Sequence, residues 1–359
     1  MQPAKHIDTA APVRLMIVDD SAIVRGFTAR IFEAEPGVEI VATASNGEMA
    51  VREIARKPCD VVILDIEMPV MDGLTALPKL LAAAPGVRVL MSSTLTQRNA
   101  EISLEALSLG AADYVPKPST SQIGGNAEFK RVIAEKVKAL GRRRSATPRP
   151  VVALDKPAQA LRPGSQRKPH IIVIGSSTGG PQALLALIKA LPRGVDAPIV
   201  IAQHMPRTFT TILAEHLGRA SHRPGCEAAD GEAILPGRVY LAPGGFHLEL
   251  VRHGITLAAK LTLEPPENFC RPSVNPLFRS AARLFGDQTA AVMLTGMGSD
   301  GLDGARDIAR AGGALVAQDE ASSVVWGMPG AVANAGLCTA ILPLPAIAAH
   351  VTGLFGGRP

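Results

Sequence analysis

Short apolar runs alternate with amphipathic stretches from Arg14 to about Leu140. The runs read RLMIV, VEIVA, DVVIL, VRVLM and ADYV. Between the first two, Ile23, Val24, Phe27, Ile31 and Phe32 recur at a spacing that predicts a helix with one stripe toward a core. Five strands alternating with helices predict an α/β fold with a doubly wound parallel sheet. From Gly141 to Pro169 the pattern lapses. GRRRSATPRPVVALDKPAQALRPGSQRKP has no clear period, and its four prolines before Pro169 discourage a helix. It reads as a linker between domains. From His170 the alternation resumes, with IIVIG, APIVIAQH, GRVYLAPG, ITLAA, AAVMLTG and GALVAQD as strands. VNPLFRSAARLF and LDGARDIARAG read as helices, and HLELVRHGITLAAK reads as a hairpin turning at His253-Gly254. The expected division is 13–131, then a helix end and flexible basic linker at 132–168, then a larger α/β domain at 169–359.

Composition sharpens this picture in three places. The 359 residues are 47% hydrophobic, enough for two full cores. No run of 18 apolar residues occurs, so no membrane insertion is expected, and the N-terminus lacks the apolar stretch of a signal peptide. The net charge is +5, but Lys130 to Lys168 alone carries twelve basic and two acidic residues. That segment is +10 and leaves −5 for the rest, so the basicity belongs to the linker and no nucleic-acid surface is expected. Cys59, Cys226, Cys270 and Cys338 lie too far apart for a CxxC metal or redox motif, which fits a reducing cytoplasm.

In the first half three carboxylates stand at strand ends: Asp19 and Asp20 after LMIV, and Asp65 after VVIL. The C-terminal strand ends of an open parallel sheet line one crevice, so the three can converge. Converging carboxylates repel unless a cation sits among them, and hard oxygen donors suit Mg²⁺. Ser93 and Thr94 end the fourth strand and Lys117 follows the fifth, a hydroxyl and an ammonium on the same edge for phosphoryl oxygens.

In the second half, HIIVIGSSTGGPQAL is a strand, a glycine turn and a helix start. A P-loop needs Gly-Lys-Ser/Thr, and this turn has no lysine. A dinucleotide fingerprint needs a middle glycine where Ser177 stands. Gly175-x-Ser177-x-Gly179 fits a nucleophile elbow instead. A serine nucleophile needs a base, and the base an orienter. Of eight histidines, His204 ends the strand APIVIAQ on the same edge as Ser177, whereas His247 lies within or near a strand. After AAVMLTG a glycine-rich loop delivers Asp300, the candidate orienter. Thr178 and Met297 are the candidate oxyanion-hole N–H donors.

Both halves also resemble known families. VDDSAIVRG, LDIEMPVMDGL, SST and GAADYVPKP are similar to the flavodoxin-like receiver domain of response regulators. The resemblance implies phosphorylation at Asp65, and Mg²⁺ bound by Asp19, Asp20 and Asp65 with the backbone carbonyl of Glu67. It also implies Ser93 as the switch hydroxyl, Lys117 on the phosphoryl group and Tyr114 as the aromatic switch. IGSSTGGP, AQHMP, LAPGGFHLEL, RPSVNPLFRSAA, LTGMGSDG and AQDEASSVVWGMPG resemble the catalytic domain of chemotaxis protein-glutamate methylesterases. Two positions depart from that family: Ser176, where alanine is common, and Gly245, where aspartate is frequent. The resemblance implies a phosphorylation-activated serine esterase with Ser177 as nucleophile, His204 as base and Asp300 as orienter. Its implied substrates are glutamate methyl esters and glutamines on chemoreceptors, its implied phosphodonor is a histidine kinase, and the esterase step needs no cofactor. The alternative is a response regulator whose second domain binds a partner or nucleotide and catalyses nothing.

Overall fold

In a computed structural model, residues 11–94, 96–117, 127–141, 161–165 and 167–356 are described. The GRRRS arginines and most of the expected linker, residues 142–160, lie outside them. The chain divides into two compact units.

The first half runs β1 (Val13–Val18), α1 (Ala22–Glu33), β2 (Val38–Ala44), α2 (Gly47–Arg56), β3 (Val61–Asp65), α3 (Gly73–Ala83), β4 (Arg88–Ser93), α4 (Gln97–Ser108), β5 (Asp113–Pro116) and α5 (Ala127–Gly141). Its five strands form a parallel sheet in the order β2-β1-β3-β4-β5. Strands covered on both faces read as continuous apolar runs rather than alternating ones. Accordingly Leu15–Val18 and Val61–Leu64 are buried without a break. Chain order reverses beside β1, so the crevice at its C-terminal end receives Asp19 from β1 and Asp65 from β3.

One expected core residue points elsewhere. Ile23 is 69% exposed, whereas Thr28, Ile31 and Phe32 are buried and Val24 and Phe27 half-buried. The buried stripe of α1 centres on Thr28, and at about 100° per residue Ile23 lies far round the helix from it. The expected boundary at residue 131 falls inside α5, which continues to Gly141.

The second half runs β6 (Ile171–Ser176), α6 (Gly180–Ala190), β7 (Ile199–Gln203), α7 (Arg207–Ser221), β8 (Gly225–Glu227), β9 (Val239–Leu241), β10 (His247–His253), β11 (Thr256–Thr262), α8 (Val274–Phe285), β12 (Thr289–Met293), α9 (Leu302–Arg310), β13 (Ala314–Gln318), α10 (Met328–Asn334), β14 (Ala340–Leu342) and α11 (Leu344–Gly353). Seven parallel strands take the order β14-β13-β12-β6-β7-β9-β8, and β10 pairs with β11 as a hairpin. The centre of the sheet is β12-β6-β7, with chain order reversing beside β6. Leu161–Ser165, within the expected linker, belongs with this unit. Arg162 donates to the carbonyls of Leu337 (2.8 Å), Ala309 (3.1 Å) and Gly313 (3.1 Å), and its backbone N–H to Cys338 (2.8 Å). Among the described residues no helix is long and apolar enough to cross a membrane.

Candidate active site and acidic cluster

The three central strands of the second unit each hand one residue to the same edge. Ser177 follows β6, His204 follows β7, and Asp300 lies in the loop after β12. Strand register sets the first two side by side. Ser176 pairs with Gln203 across β6 and β7, and His204 N–H donates to Ser176 O at 3.3 Å. Two flanking groups hold the Ser177 backbone: its N–H donates to Thr295 O at 3.0 Å, and its carbonyl accepts from Gln203 Nε2 at 2.9 Å. The turn into α6 then closes through Gly179 at φ +75°, a conformation that L side chains rarely adopt. Gly296 packs against the turn so closely that a Cβ there would lie 3.0 Å from Ser177 Cβ and 2.4 Å from Met328 Sδ.

The two adjacent serines have different surroundings. Ser176 is fully buried, and its hydroxyl donates to Gln203 Oε1 at 2.6 Å. Ser177 is partly exposed. His204 Nε2 lies 2.7 Å from Asp300 Oδ2, so Nδ1 is the ring nitrogen left for a proton from a hydroxyl. Cys270 Sγ sits 3.3 Å from that Nδ1. Burial opposes the charged imidazole, but Cys270 and Asp300 outweigh it and hold the His204 pKa above its ordinary value.

Asp300 is 2% exposed and fully engaged. Oδ1 accepts from Ser273 Oγ (2.6 Å) and Asn268 Nδ2 (3.1 Å), and Oδ2 from the Val274 N–H (2.7 Å) as well as His204. Val274 is the first residue of α8, so the carboxylate also sits at the positive end of a helix. Burial would raise its pKa, but the bonds from His204, Ser273 and Val274 prevail and hold it at about 2. Thr178 is buried behind the turn, its carbonyl accepting from Thr295 Oγ1 at 2.9 Å. Met297 is half-buried in the loop between Gly296 and Gly298. Sequence reading overlooked Gln203, Asn268, Cys270 and Ser273. A signal existed for Ser273, a serine directly before the helical run VNPLF and so of a residue type that caps helices. None existed for Cys270, whose partner is 66 residues away.

In the first half, Asp19, Asp20 and Asp65 bring carboxylate oxygens within 4.8 Å of one another, a donor set that fits Mg²⁺. Lys117 Nζ lies 2.6 Å from Asp65 Oδ2 and 3.2 Å from Asp19 Oδ2. Burial pushes the Asp65 carboxyl up to about 6 in spite of Lys117. Ser93 is buried at the end of β4, and Glu67 is exposed two residues beyond Asp65. Tyr114 is buried, with its carbonyl 2.9 Å from Lys136 Nζ and its ring centroid 5.4 Å from the same ammonium.

Comparison with known proteins finds relatives of both halves. The CheB methylesterase model matches residues 172–351, and the response regulator receiver domain model matches residues 15–123. A protein-glutamate methylesterase/protein-glutamine glutaminase of Paramagnetospirillum magneticum is 51% identical, over 98% of this chain and 100% of that protein. The enzyme of the same name from Azospirillum brasilense is 52% identical, over 97% of this chain and 95% of that one. The crystal structure of the Thermotoga maritima CheB methylesterase catalytic domain is 41% identical with a TM-score of 0.51, covering 52% of this chain and 100% of that domain. With one family model over half of its length, a receiver model ahead of it and relatives alike from end to end, the chain belongs to the CheB methylesterase family, in the form with an N-terminal response-regulator receiver domain.

Proposed function

We propose that the second unit hydrolyses glutamate methyl esters on chemoreceptors through Ser177, His204 and Asp300. Ser177 Oγ attacks the ester carbonyl while His204 Nδ1 takes its proton. The tetrahedral oxyanion forms beside the turn, with the Thr178 and Met297 N–H groups as its donors. Collapse expels methoxide, which takes the proton from His204 and leaves as methanol. Water, deprotonated by His204, then attacks the acyl-serine and releases a glutamate carboxylate. Glutamine side chains give the same acyl-enzyme with ammonia leaving, a harder step because nitrogen must be protonated first. Asp300 keeps the imidazole in the tautomer with its proton on Nε2 and balances the charge as Nδ1 gains a second.

The observation that carries this reading is the 2.7 Å contact of His204 Nε2 with Asp300, at the edge where Ser177 leaves the neighbouring strand. In the receiver, Asp65 is the phosphoryl acceptor and a histidine kinase the donor. Asp19, Asp20, Asp65 and the Glu67 carbonyl would hold Mg²⁺, which would supply positive charge against the phosphoryl oxygens. Ser93 and Lys117 then hold the new oxygens, Tyr114 follows the rearrangement, and phosphorylation raises esterase activity. The extent of α5 and the Arg162 contacts support a receiver that reaches at least Gly141 and a catalytic unit that includes Arg162, ahead of the expected start at residue 169. The test is methanol release from methylated receptor, with and without a small phosphodonor and Mg²⁺. Release that rises with the phosphodonor is expected. A chain that releases no methanol and takes no serine-directed phosphonate at Ser177 would be a binding module instead.

A further inference from the structure

One buried histidine has no part in that mechanism. His247 opens β10 and is 1% exposed. Both ring nitrogens are engaged: the Ser273 backbone N–H lies 3.1 Å from Nδ1, and the Pro265 carbonyl lies 3.1 Å from Nε2. A backbone N–H can only donate and a carbonyl can only accept. These partners therefore fix one tautomer, with Nδ1 bare and the proton on Nε2. A proton on Nδ1 would face the Ser273 N–H.

Ser273 is the residue through which α8 reaches Asp300. Its hydroxyl donates to Asp300 Oδ1 at 2.6 Å, and the next N–H, of Val274, donates to Oδ2 at 2.7 Å. The same hydroxyl oxygen accepts from Asn275 N at 3.2 Å, which aims its proton at the carboxylate. Ser273 and Val274 are both fully buried, so no water replaces a lost partner cheaply. His247 thus holds the backbone that holds Asp300, which holds His204.

We infer that His247 is a positioning residue for the esterase, acting through Ser273 on the placement of Asp300 against His204. The inference rests on the esterase reading above. A histidine that merely filled space would tolerate an apolar side chain of similar size. One that positions Ser273 needs an acceptor where Nδ1 now lies. Asparagine supplies such an acceptor with its amide oxygen, and leucine supplies none.

The test compares His247→Asn and His247→Leu in the full-length chain, with thermal melting as a check on folding. Leucine leaves the Ser273 N–H buried without an acceptor. A fall in kcat of roughly tenfold to a hundredfold is expected, with KM within about twofold. Asparagine should recover kcat to within about threefold of wild type. The downfield NMR resonance of the His204 Nε2 proton should persist in the asparagine variant and weaken or move in the leucine variant. Wild-type kcat in a folded leucine variant would overturn the inference, as would equal losses in both variants. If the leucine variant fails to melt cooperatively, His247→Gln takes its place. Its longer side chain reaches toward Pro265 and leaves Nδ1 unreplaced, so the same loss is expected and wild-type kcat would again be fatal. Should the wild type leave methylated receptor untouched yet take the phosphonate at Ser177, only the substrate is wrong. The positioning role is then read from the rate of phosphonate labelling, which must show the same order among the variants.

Discussion

Ser176 and Ser177 differ by what surrounds them. The Ser176 hydroxyl is consumed by Gln203 inside the sheet, and that of Ser177 stands at the turn. Ser177→Ala is therefore expected to lower the esterase rate by roughly 10⁴–10⁶. Ser176→Ala should keep most activity and lose about 1 kcal/mol of stability for the missing bond. Kinetics and denaturant melts on the two variants check this, and a dead Ser176→Ala would move the nucleophile by one residue. Cys270 sets a second expectation. It helps to hold the His204 pKa up, and His204 must be neutral to accept a proton. Removing the thiol lowers that pKa, so the acidic limb of kcat/KM against pH should move to lower pH in Cys270→Ala. An unmoved limb would mean that the sulfur leaves the base untouched. Iodoacetamide should inactivate the wild type and spare Cys270→Ala, since an adduct on Sγ crowds Nδ1.

At the scale of elements, strand ends concentrate charge that the core does not tolerate, and β3 shows its cost. Asp65 is buried with a pKa of about 6 against 3.8 unfolded. The folded state prefers the neutral acid, so the penalty is absent below 3.8, grows between 3.8 and about 6, and is complete above. Asp65→Asn should accordingly raise the receiver melting temperature by a few degrees at pH 7.5, and the gain should vanish near pH 3.5. Added Mg²⁺ should stabilise the wild type and not the variant, and a small phosphodonor should label only the wild type. The same elements show what could be read in advance. Continuous apolar runs such as VVIL and IIVIG marked the buried strands because a parallel sheet covered on both faces admits nothing else. Three-residue β8 and β14 left no such trace, being too short for a period and set at the sheet edges. Ser177 and His204 could be singled out because each directly follows a recognisable strand, and Asp300 because a glycine-rich loop carries it on from a third. Cys270, Asn268 and Ser273 reach the same place from a loop and a helix cap, and only folding brings them there.

For the molecule as a whole, the expectation to test is that the receiver restrains the hydrolase until it is phosphorylated. A fragment from Leu161 to Pro359 should outpace the unphosphorylated full chain on methylated receptor, and the gap should narrow on a small methyl ester. Equal receptor turnover by the two would remove the restraint. A fragment slower than the whole would give the receiver a positive part in docking. The choice of Leu161 matters: a fragment begun at Lys168 lacks Arg162 and its three side-chain bonds to Leu337, Ala309 and Gly313.

The pairing of Ser176 with Gln203 also bears on which changes of length the chain can absorb. Ser177 and His204 are neighbours because two strands lie in register, although α6 and its connections separate them in sequence. Residues added between α6 and β7 leave that register intact, so insertional scanning there should yield active proteins. One residue added within β6 exchanges the serines: Ser176 arrives at the turn and Ser177 moves off it. Because both are serines, such a variant would still present a hydroxyl at the turn, but the same shift sets Thr178 at the φ +75° position of Gly179 and turns the buried faces of β6 over, so it should be inactive.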